Sequence, residues 1–388
     1  VLAWQFGSQY LKVPLLGRWI ALDEIGRFFL TILSILIIPT FSYSIGYLVR
    51  QKYVQTEIPE AERHRRERIF SACLMFFTSS MTLVMYCQHF ELLWVAIAAT
   101  TLTSTPLIYF HHNQHSIEAT WKYLVLCSFG IALSLFGNFL LAIATGKTQA
   151  AHEPLLLSSL ISNAKLLEPT WLKVSFIFLL VGYGTKTGLA PMHTWLPDAH
   201  SEAPSAVSAL LSGASLNCAF LAILRAYQVC VAAGLGSTVQ QMLILFGTVS
   251  IAIAGVFMMK QRDFKRLLAY SSVENMGILT LALGLGGVAI FGGLLHALGH
   301  SVVKAMLFLL AGNILIAYQS KSTQAVQGAL RVIPMSAALW FLGFLTITSF
   351  PPFGLFWSKF VILSAAIEQH RFFLVAFILF CIALVFIG

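Results

Sequence analysis

Charged residues are scarce in this sequence. Lys, Arg, Asp and Glu make up 10% of the 388 residues, whereas about a quarter of the residues in a soluble globular domain are charged. The hydrophobic share is 58% and the mean hydropathy is +0.82. The chain therefore lacks the polar surface that a water-soluble protein of this length needs. We expect an all-α protein that crosses a lipid bilayer many times.

Acidic residues and cysteine motifs are also few. Fifteen Asp and Glu residues stand against twenty-four Lys and Arg, which gives a formal net charge of +9. The basic residues lie in short loops between apolar runs, so membrane topology explains them better than binding to nucleic acid, and we expect no nucleic-acid partner. The six cysteines include no CxxC pair and no spacing suited to zinc or an iron–sulfur cluster. We expect the cysteines to be small buried hydrophobic residues that bind no metal.

Eleven apolar stretches are long enough to cross a bilayer, whose apolar core of about 30 Å requires about 20 helical residues. Flanking charges, Pro and Gly place them at 26–48, 69–88, 91–110, 119–145, 171–200, 204–230, 238–259, 267–286, 289–318, 332–363 and 372–388. The chain opens with Val1, has no signal-peptide pattern and stops at Gly388 inside an apolar run. We therefore expect a piece of a longer protein.

Basic residues in alternate loops predict the orientation. The loops at 50–68, 260–266 and 321–331 hold twelve Lys and Arg residues, against five in the loops of the other side. By the positive-inside rule the first set is cytoplasmic. Residues 1–25 then form an outer-side, periplasmic segment, and 26–68 form the first span with its basic cytoplasmic loop. We interpret the arginine run in that loop as a topology signal that lies near anionic lipid. The alternative is a docking surface for a soluble partner.

Three of the lysines inside predicted spans are singled out, because a charge at mid-membrane costs about 2.5 to 3.5 kcal/mol on insertion scales. They are Lys186, Lys304 and Lys359. His296, His300 and Lys304 recur every four residues, which spaces them over about 12 Å along one helix face. Snorkelling or static ion pairs would explain a single lysine. A row of groups that exchange protons near neutral pH explains three lysines and two histidines better.

Gly and Pro interrupt two of these spans. Gly188 and Pro191 break the span that carries Lys186, and Pro351 and Pro352 break the span that carries Lys359. Irregular backbone at membrane depth is tolerated where it packs in protein or lines a wet cavity. Two broken spans, each with a lysine, predict two repeated halves with an ion site in each. We place the first repeat at 69–230 and the second, C-terminally incomplete, at 238–388.

Three long segments carry a family resemblance. KTGLAPMHTWLPDAHSEAPSAVSALLSG, QRDFKRLLAYSSVENMGI and LLHALGHSVVKAMLFLLAGNIL resemble signature segments of the antiporter-like proton-pumping membrane subunits of respiratory complex I and its relatives. SSVENMG, together with YSIGYLV, WVAIAATTL and IEATWKYL, makes the chain most similar to the hydrogenase-4 component F branch. The resemblance covers nearly the whole chain.

The resemblance implies about fourteen transmembrane helices, about eleven of them present here, in two inverted five-helix repeats that each contain a broken helix. It implies that Lys186, Lys304 and Lys359, with His296 and His300, pass protons along a hydrated axis. It also implies that the subunit holds no redox cofactor and works with other membrane subunits and a soluble hydrogenase or redox arm, in the inner membrane of a prokaryote.

Two positions depart from the family pattern. The resemblance implies a glutamate after W-x-x-x in the third span, as the partner of Lys186, but Trp94 is followed there by Ala98. A lysine or histidine is common on the axis where this chain has Asn217. We expect the first half to relay protons weakly or to act as a scaffold. Glu118 could supply a substitute carboxylate, but a local pair with Lys122, four residues on, is the preferred alternative.

Other polar residues are weaker candidates. His193 is a candidate relay or supporting residue, and Asp198, His200 and Glu202 either line a cytoplasmic proton path or cap the adjoining helices. Glu274, placed near the cytoplasmic side, either pairs with a basic residue or joins the relay. The histidines of the loop HHNQH could bind a metal, but the loop has no acidic or cysteine ligand to support them, so we expect no metal site there.

The sequence thus predicts a proton-translocating membrane subunit of a hydrogenase-4 or formate hydrogenlyase type complex. One alternative is a subunit of the same superfamily that exchanges Na⁺ for H⁺ or supports bicarbonate uptake. Another is a structural subunit that conducts no protons, because Ala98 replaces the expected glutamate. The sequence gives neither the coupled ion nor the partner complex.

Overall fold

The structure is a computed structural model that describes residues 17–54, 59–146 and 155–387. Within these ranges the regular secondary structure is helical, apart from three isolated bridge pairs. The segment expected at 1–25 and the basic loop expected at 50–68 lie partly outside the described residues. The prediction of an all-α polytopic membrane protein is confirmed.

Fifteen helices are numbered here in chain order. They are α1 Glu24–Val54, α2 Glu60–Tyr86, α3 Phe90–Ile108, α4 Gln114–Ala144, α5 Leu157–Ser162, α6 Pro169–Thr187, α7 Trp195–Glu202, α8 Ser205–Ala232, α9 Gly236–Met258, α10 Phe264–Leu285, α11 Val288–Tyr318, α12 Ala329–Val332, α13 Pro334–Ile347, α14 Gly354–Glu368 and α15 Phe372–Ile387. Within α8, the turn Leu211–Ser215 is π-helical.

Eight of these helices in the described residues are long and apolar enough to cross a membrane: α1 to α4 and α8 to α11. The three other predicted spans correspond to α6 with α7, α13 with α14, and the apolar helix α15. The five spans α2, α3, α4, α6/α7 and α8 are matched by α9, α10, α11, α13/α14 and α15, with the broken helix fourth in each set. Because five is odd, the second set begins on the opposite side of the membrane, which makes the repeats inverted.

Polar residues extend several helices beyond the predicted spans. At the start of α4, Asn113 and Ser116 satisfy each other's backbone N–H in a capping box. At the start of α10, the Asp263 carboxylate accepts hydrogen bonds from the backbone N–H groups of Lys265 and Arg266. The first turns of α2 carry ion pairs such as Arg66 with Glu62, at 2.5 Å. Hydropathy alone could not locate these polar ends, so the predicted spans began several residues late.

The interior of the bundle is formed by α8 and α10. In the most apolar 18-residue stretch of each helix, the share of buried residues is 100% in α8 and 89% in α10. In α1, α4 and α9 that share is 39%. The less buried helices present one side to the surroundings, as helices in contact with lipid do. Polar groups on α8 and α10 therefore lie deep inside the protein.

Glycines allow close helix contacts in both repeats, although between different pairs of helices. A Cβ atom at Gly182 of α6 would lie 2.6 Å from the carbonyl oxygen of Gly130 of α4. A Cβ atom at Gly247 of α9 would lie 2.7 Å from the carbonyl oxygen of Gly277 of α10. Such approach of small residues is a common way for helices to pack tightly in membranes. It fixes the broken helix α6 against α4 and places α10 against α9.

Candidate functional site

The first broken helix ends at Lys186 and Thr187. Gly188 caps α6 in the left-handed region, with φ at +82°, and the chain resumes helical structure at Trp195 in α7. The indole N–H of Trp195 donates to the carbonyl of Thr185 at 2.8 Å, and the backbone N–H of Ala190 donates to Ser250 Oγ at 2.9 Å. Protein groups therefore satisfy the backbone of the break, as burial requires.

Lys186 is 2% exposed and is held by hydroxyl groups. Its Nζ donates to Tyr123 Oη at 2.5 Å and to Thr101 Oγ1 at 2.9 Å, and it lies 4.7 Å from the centroid of the Tyr123 ring. Among the described residues, no carboxylate lies within ion-pair distance of this amine. Lys186 thus has neutral partners from α3 and α4.

Ala98 lies one turn before Thr101 on α3 and is half-buried. Helix positions three residues apart are neighbours on one face, with Cβ atoms about 5 to 6 Å apart. The α3 contact with Lys186 therefore comes from the hydroxyl of Thr101, on the face that Ala98 shares.

The structure does not bring Glu118 to Lys186. Glu118 is 62% exposed in its side chain and pairs with Lys122 at 2.6 Å. Lys122 also donates to Asp198 at 2.9 Å, and Asp198 pairs in addition with Arg266. Of the two alternatives considered for Glu118, the local pair with Lys122 is the one observed. These four residues form a surface charge cluster rather than part of the buried site.

The second repeat buries a row of titratable side chains. His296, His300 and Lys304 lie along α11 and are each 0% exposed. His296 Nδ1 lies 2.9 Å from Ser358 Oγ of α14, and Lys304 donates to the Leu268 carbonyl and the Ser271 hydroxyl of α10.

Several ring nitrogens in this row lack partners. Both ring nitrogens of His300 and the Nε2 atom of His296 have no hydrogen-bond partner among the described residues. Buried polar groups without partners are rare and call for an explanation. A role in which these rings bind and release protons supplies one.

The row ends in a buried ion pair. Lys359 Nζ of α14 donates to Glu274 Oε1 of α10 at 2.9 Å, and both side chains are almost fully buried. Glu274 lies ten residues into α10, so the expectation that it sits near the cytoplasmic end was wrong. Asp263 starts α10 a turn earlier than hydropathy suggested, which moves Glu274 deeper.

Asn217 lies at the contact between the two repeats. Its Nδ2 donates to Ser301 Oγ of α11 at 2.7 Å and to the carbonyl of Gly213 at 2.9 Å. The neighbouring π-helical turn places Ser212 Oγ 2.8 Å from Ser272 Oγ of α10. Turns of this kind are frequent at functional sites. Polar contacts thus join α8 to α11, which carries Lys304, and to α10, which accepts its hydrogen bonds.

The other histidines occupy different environments. His200 is buried between the rings of Trp195 and Phe308, and among the described residues its ring nitrogens have no partner. It lies within electrostatic range of Lys304 and Lys265. His193, in the break, packs edge-on against Phe257 and Tyr270.

A cavity of about 210 Å³ lies at the end of the bundle that carries the basic loops. Its wall includes His111, Glu202, Lys265 and Lys321, and Glu202 pairs with Lys321 at 2.8 Å. Lys265 is almost fully buried and donates to the carbonyl of Ala203. In the described part of the chain no cluster of His, Cys, Asp and Glu has the arrangement of a metal site, and His111 instead lies 3.4 Å from the Tyr47 hydroxyl.

Comparison with known proteins decides the family. The family model described as NADH:quinone oxidoreductase/Mrp antiporter, TM, matches residues 87–385. The chain belongs to this family. It is therefore an antiporter-like multi-pass membrane subunit, and the resemblance inferred from the sequence is confirmed.

Curated relatives in this family include two hydrogenase-4 components. The chain is 35% identical over 355 residues to the hydrogenase-4 component F homolog of Methylacidiphilum infernorum (isolate V4), over 91% of this chain and 74% of the relative. It is 27% identical over 351 residues to hydrogenase-4 component B of Escherichia coli (strain K12), over 87% of this chain and 49% of the relative. The chain thus spans from about half to about three quarters of the length of these relatives.

Two solved structures share the fold. One is the membrane-bound sulfane sulfur reductase, an archaeal respiratory membrane complex, with a TM-score of 0.83 and 23% identity over 95% of this chain and 72% of that chain. The other is the Mrp complex from Dietzia sp. DQ12-45-1b, with a TM-score of 0.80 and 19% identity over 94% of this chain and 65% of that chain. Both are described as complexes, and the likeness shows the fold alone.

Sequence reasoning missed the residues that hold the lysines. Tyr123, Thr101, Ser271 and Ser358 each contact a buried lysine or histidine, yet none was singled out. Single hydroxyls are common in apolar helices and produce no periodic signal. The available clues were the family segments, since IEATWKYL contains Tyr123, WVAIAATTL contains Thr101 and SSVENMG contains Ser271.

Proposed function

We propose that this chain translocates protons as a membrane subunit of a hydrogenase-4 or formate hydrogenlyase type complex in the inner membrane of a prokaryote. The names of the two hydrogenase-4 relatives and the family model support this assignment. In such a complex a soluble redox arm carries the cofactors and the electron transfer. This chain supplies a proton path, surrounded by other membrane subunits and lipid.

The observation that carries the proposal is the buried row of the second repeat. Lys304, His300 and His296 follow one another along α11, and the row continues to the ion pair of Lys359 with Glu274. Each group can bind or release a proton, and burial removes the competing bulk water. A static ion pair explains Lys359, but it does not explain two buried histidines with free ring nitrogens.

The cavity at the basic end provides access to this row from the cytoplasm. Lys265 lies in its wall, and α10 continues from Lys265 to Leu268 and Ser271, which bind Lys304 one and two turns later. His200 lies within electrostatic range of both lysines. A proton taken up at the cavity therefore reaches Lys304 over a short distance, and Lys359 provides its release toward the other side.

The test is proton movement by the assembled complex in inverted membrane vesicles, followed with a pH-sensitive dye after addition of the electron donor. We expect Lys304→Ala and Lys359→Ala, compared at equal amounts of assembled subunit, to lower the rate of acidification by about tenfold or more, because a positioned proton carrier contributes about 10² to 10⁴ in rate. Lys165→Ala, at an exposed loop lysine, is the control and should act like wild type. Wild-type acidification in both site variants would show that these lysines carry no protons and have a structural role.

A sodium–proton exchanger is the second candidate. The family model includes the Mrp antiporter, and the Mrp complex from Dietzia shares the fold. Acidification that requires added Na⁺, and that proceeds in vesicles without an electron donor, would favour this candidate over the redox-driven one.

A further inference from the structure

The two broken helices bind their lysines in different ways. Lys359 of α14 has a carboxylate partner in Glu274, at 2.9 Å. Lys186 of α6 has two hydroxyl partners, Tyr123 and Thr101, and within the described residues no carboxylate partner. The second repeat therefore compensates the lysine charge directly, and the first repeat does not.

The Tyr123 hydroxyl connects Lys186 to a further hydroxyl. Tyr123 Oη lies 2.5 Å from Lys186 Nζ and 2.6 Å from Ser104 Oγ. All three side chains are buried, and the Trp195 ring covers the phenol with a centroid distance of 5.0 Å. Ser104 is also 2.7 Å from the carbonyl of Thr100. The three side chains form a continuous chain of hydrogen bonds that leads away from the lysine.

This chain leads toward the basic end of the bundle. Ser104 lies four residues before the end of α3 at Ile108, and His111, just beyond that end, lines the cavity that Lys265 and Lys321 also line. The path from Lys186 through Tyr123 to Ser104 thus runs toward the side assigned to the cytoplasm.

We infer that Tyr123 and Ser104 relay protons to Lys186 and take the place of a carboxylate partner in the first repeat. The inference rests on the proposed proton-translocating function. It gives the first repeat a working relay, in contrast to the weak one expected from Ala98 alone.

The transfer balances without a charged intermediate on either hydroxyl. Tyr123 donates its proton to the neutral amine of Lys186 and accepts one from Ser104, while Ser104 accepts one from a hydronium ion on the cytoplasmic side. One O–H bond of hydronium is lost, one N–H bond of an ammonium is gained, and both hydroxyls are restored. When Lys186 is charged, it donates to Tyr123, Tyr123 donates to Ser104, and Ser104 donates to Thr100. A hydroxyl can do this because it both donates and accepts.

The decisive variant is Tyr123→Phe in the assembled complex, which removes one oxygen and keeps the ring under Trp195. We expect it to lower the rate of vesicle acidification by about tenfold, to the level of Lys186→Ala, with wild-type amounts of assembled subunit. Ser104→Ala should lower the rate in the same direction. Tyr183→Phe is the matched control, since Tyr183 is an equally buried phenol on α6 that makes no hydrogen bond to a lysine, and it should act like wild type.

A second measurement distinguishes a proton-relay role of Tyr123 from a packing role. In the Ala98→Glu background a carboxylate on the same face as Thr101 reaches Lys186, so Tyr123→Phe should regain at least half of the acidification rate. A purely structural role of the phenol predicts no such rescue.

The outcomes distinguish this inference from the proposed function. If wild type acidifies vesicles and Tyr123→Phe does so at the same rate, the hydroxyl relay is wrong while proton translocation stands. If Tyr123→Phe is impaired and Ala98→Glu restores nothing, Tyr123 is a packing residue and the relay is likewise wrong. If wild type moves no protons, the proposed function itself fails.

Discussion

Glu274 of α10 and Lys359 of α14 form an ion pair at 2.9 Å inside the second repeat, joining an unbroken helix to a broken one. Burial of two opposite charges is costly, and the pair repays that cost only while both partners are present. The second carboxylate oxygen of Glu274 has no hydrogen-bond partner among the described residues. The pair is therefore held by a single contact and can be opened by one proton.

Removal of one member of this pair should destabilise the subunit. We expect Glu274→Leu to reduce stability by about 3 to 5 kcal/mol, because it leaves Lys359 as an uncompensated buried charge. The double variant Glu274→Leu with Lys359→Met should recover the assembled amount, since no charge remains. Subunit yield in detergent extracts and thermal unfolding of the purified complex measure both effects.

The double variant also tests function. It should assemble and yet fail to acidify vesicles, because both groups that bind protons at this end of the row are gone. A double variant that assembles and acidifies at the wild-type rate would contradict a role for the pair in proton transfer.

Glu118 should matter little. Its side chain is 62% exposed and its partner Lys122 is 46% exposed, and exposed pairs of this spacing contribute about 0.3 to 0.5 kcal/mol. We expect Glu118→Gln to change neither thermal stability nor vesicle acidification measurably. A large loss of acidification would show that Glu118 serves Lys186 after all, and the hydroxyl partners of that lysine would then need another explanation.

The orientation can be tested with single cysteines in a background that lacks the natural ones. A membrane-impermeant maleimide should label Ala61→Cys, at the start of α2, from the cytoplasmic side and Ser162→Cys, at the end of α5, from the outer side. Both positions are exposed. If Ala61→Cys is labelled in sealed right-side-out vesicles, the predicted topology is wrong and the chain has the opposite orientation. Position 55, in the loop on which the prediction rests, lies outside the described residues.

Much of the fold could be predicted from the sequence because apolar length, Gly and Pro act locally. All eleven predicted spans correspond to helices or broken helices, and the breaks at Gly188 and Pro351 lie where expected. Helix ends were missed where polar caps such as Asn113 carry the helix past the apolar run.

The site was harder to predict because its contacts are distant in sequence. Lysines inside apolar spans stand out, so Lys186, Lys304 and Lys359 could be identified as buried. Their partners could not, since Tyr123 is 63 residues from Lys186 and Glu274 is 85 residues from Lys359. The local pair of Glu118 with Lys122 could be predicted, because the two residues are four apart on one helix.

The hydrogen bond from Asn217 to Ser301 limits what can pass between the repeats. Neither an amide nor a serine hydroxyl becomes charged near neutral pH, so both groups of this link stay neutral. It can change the direction of a hydrogen bond, but it stores no charge. The amide nitrogen of Asn217 donates but does not accept, so Asn217 itself passes no charge between Lys186 and Lys304, in contrast to the hydroxyl chain that leads to Lys186.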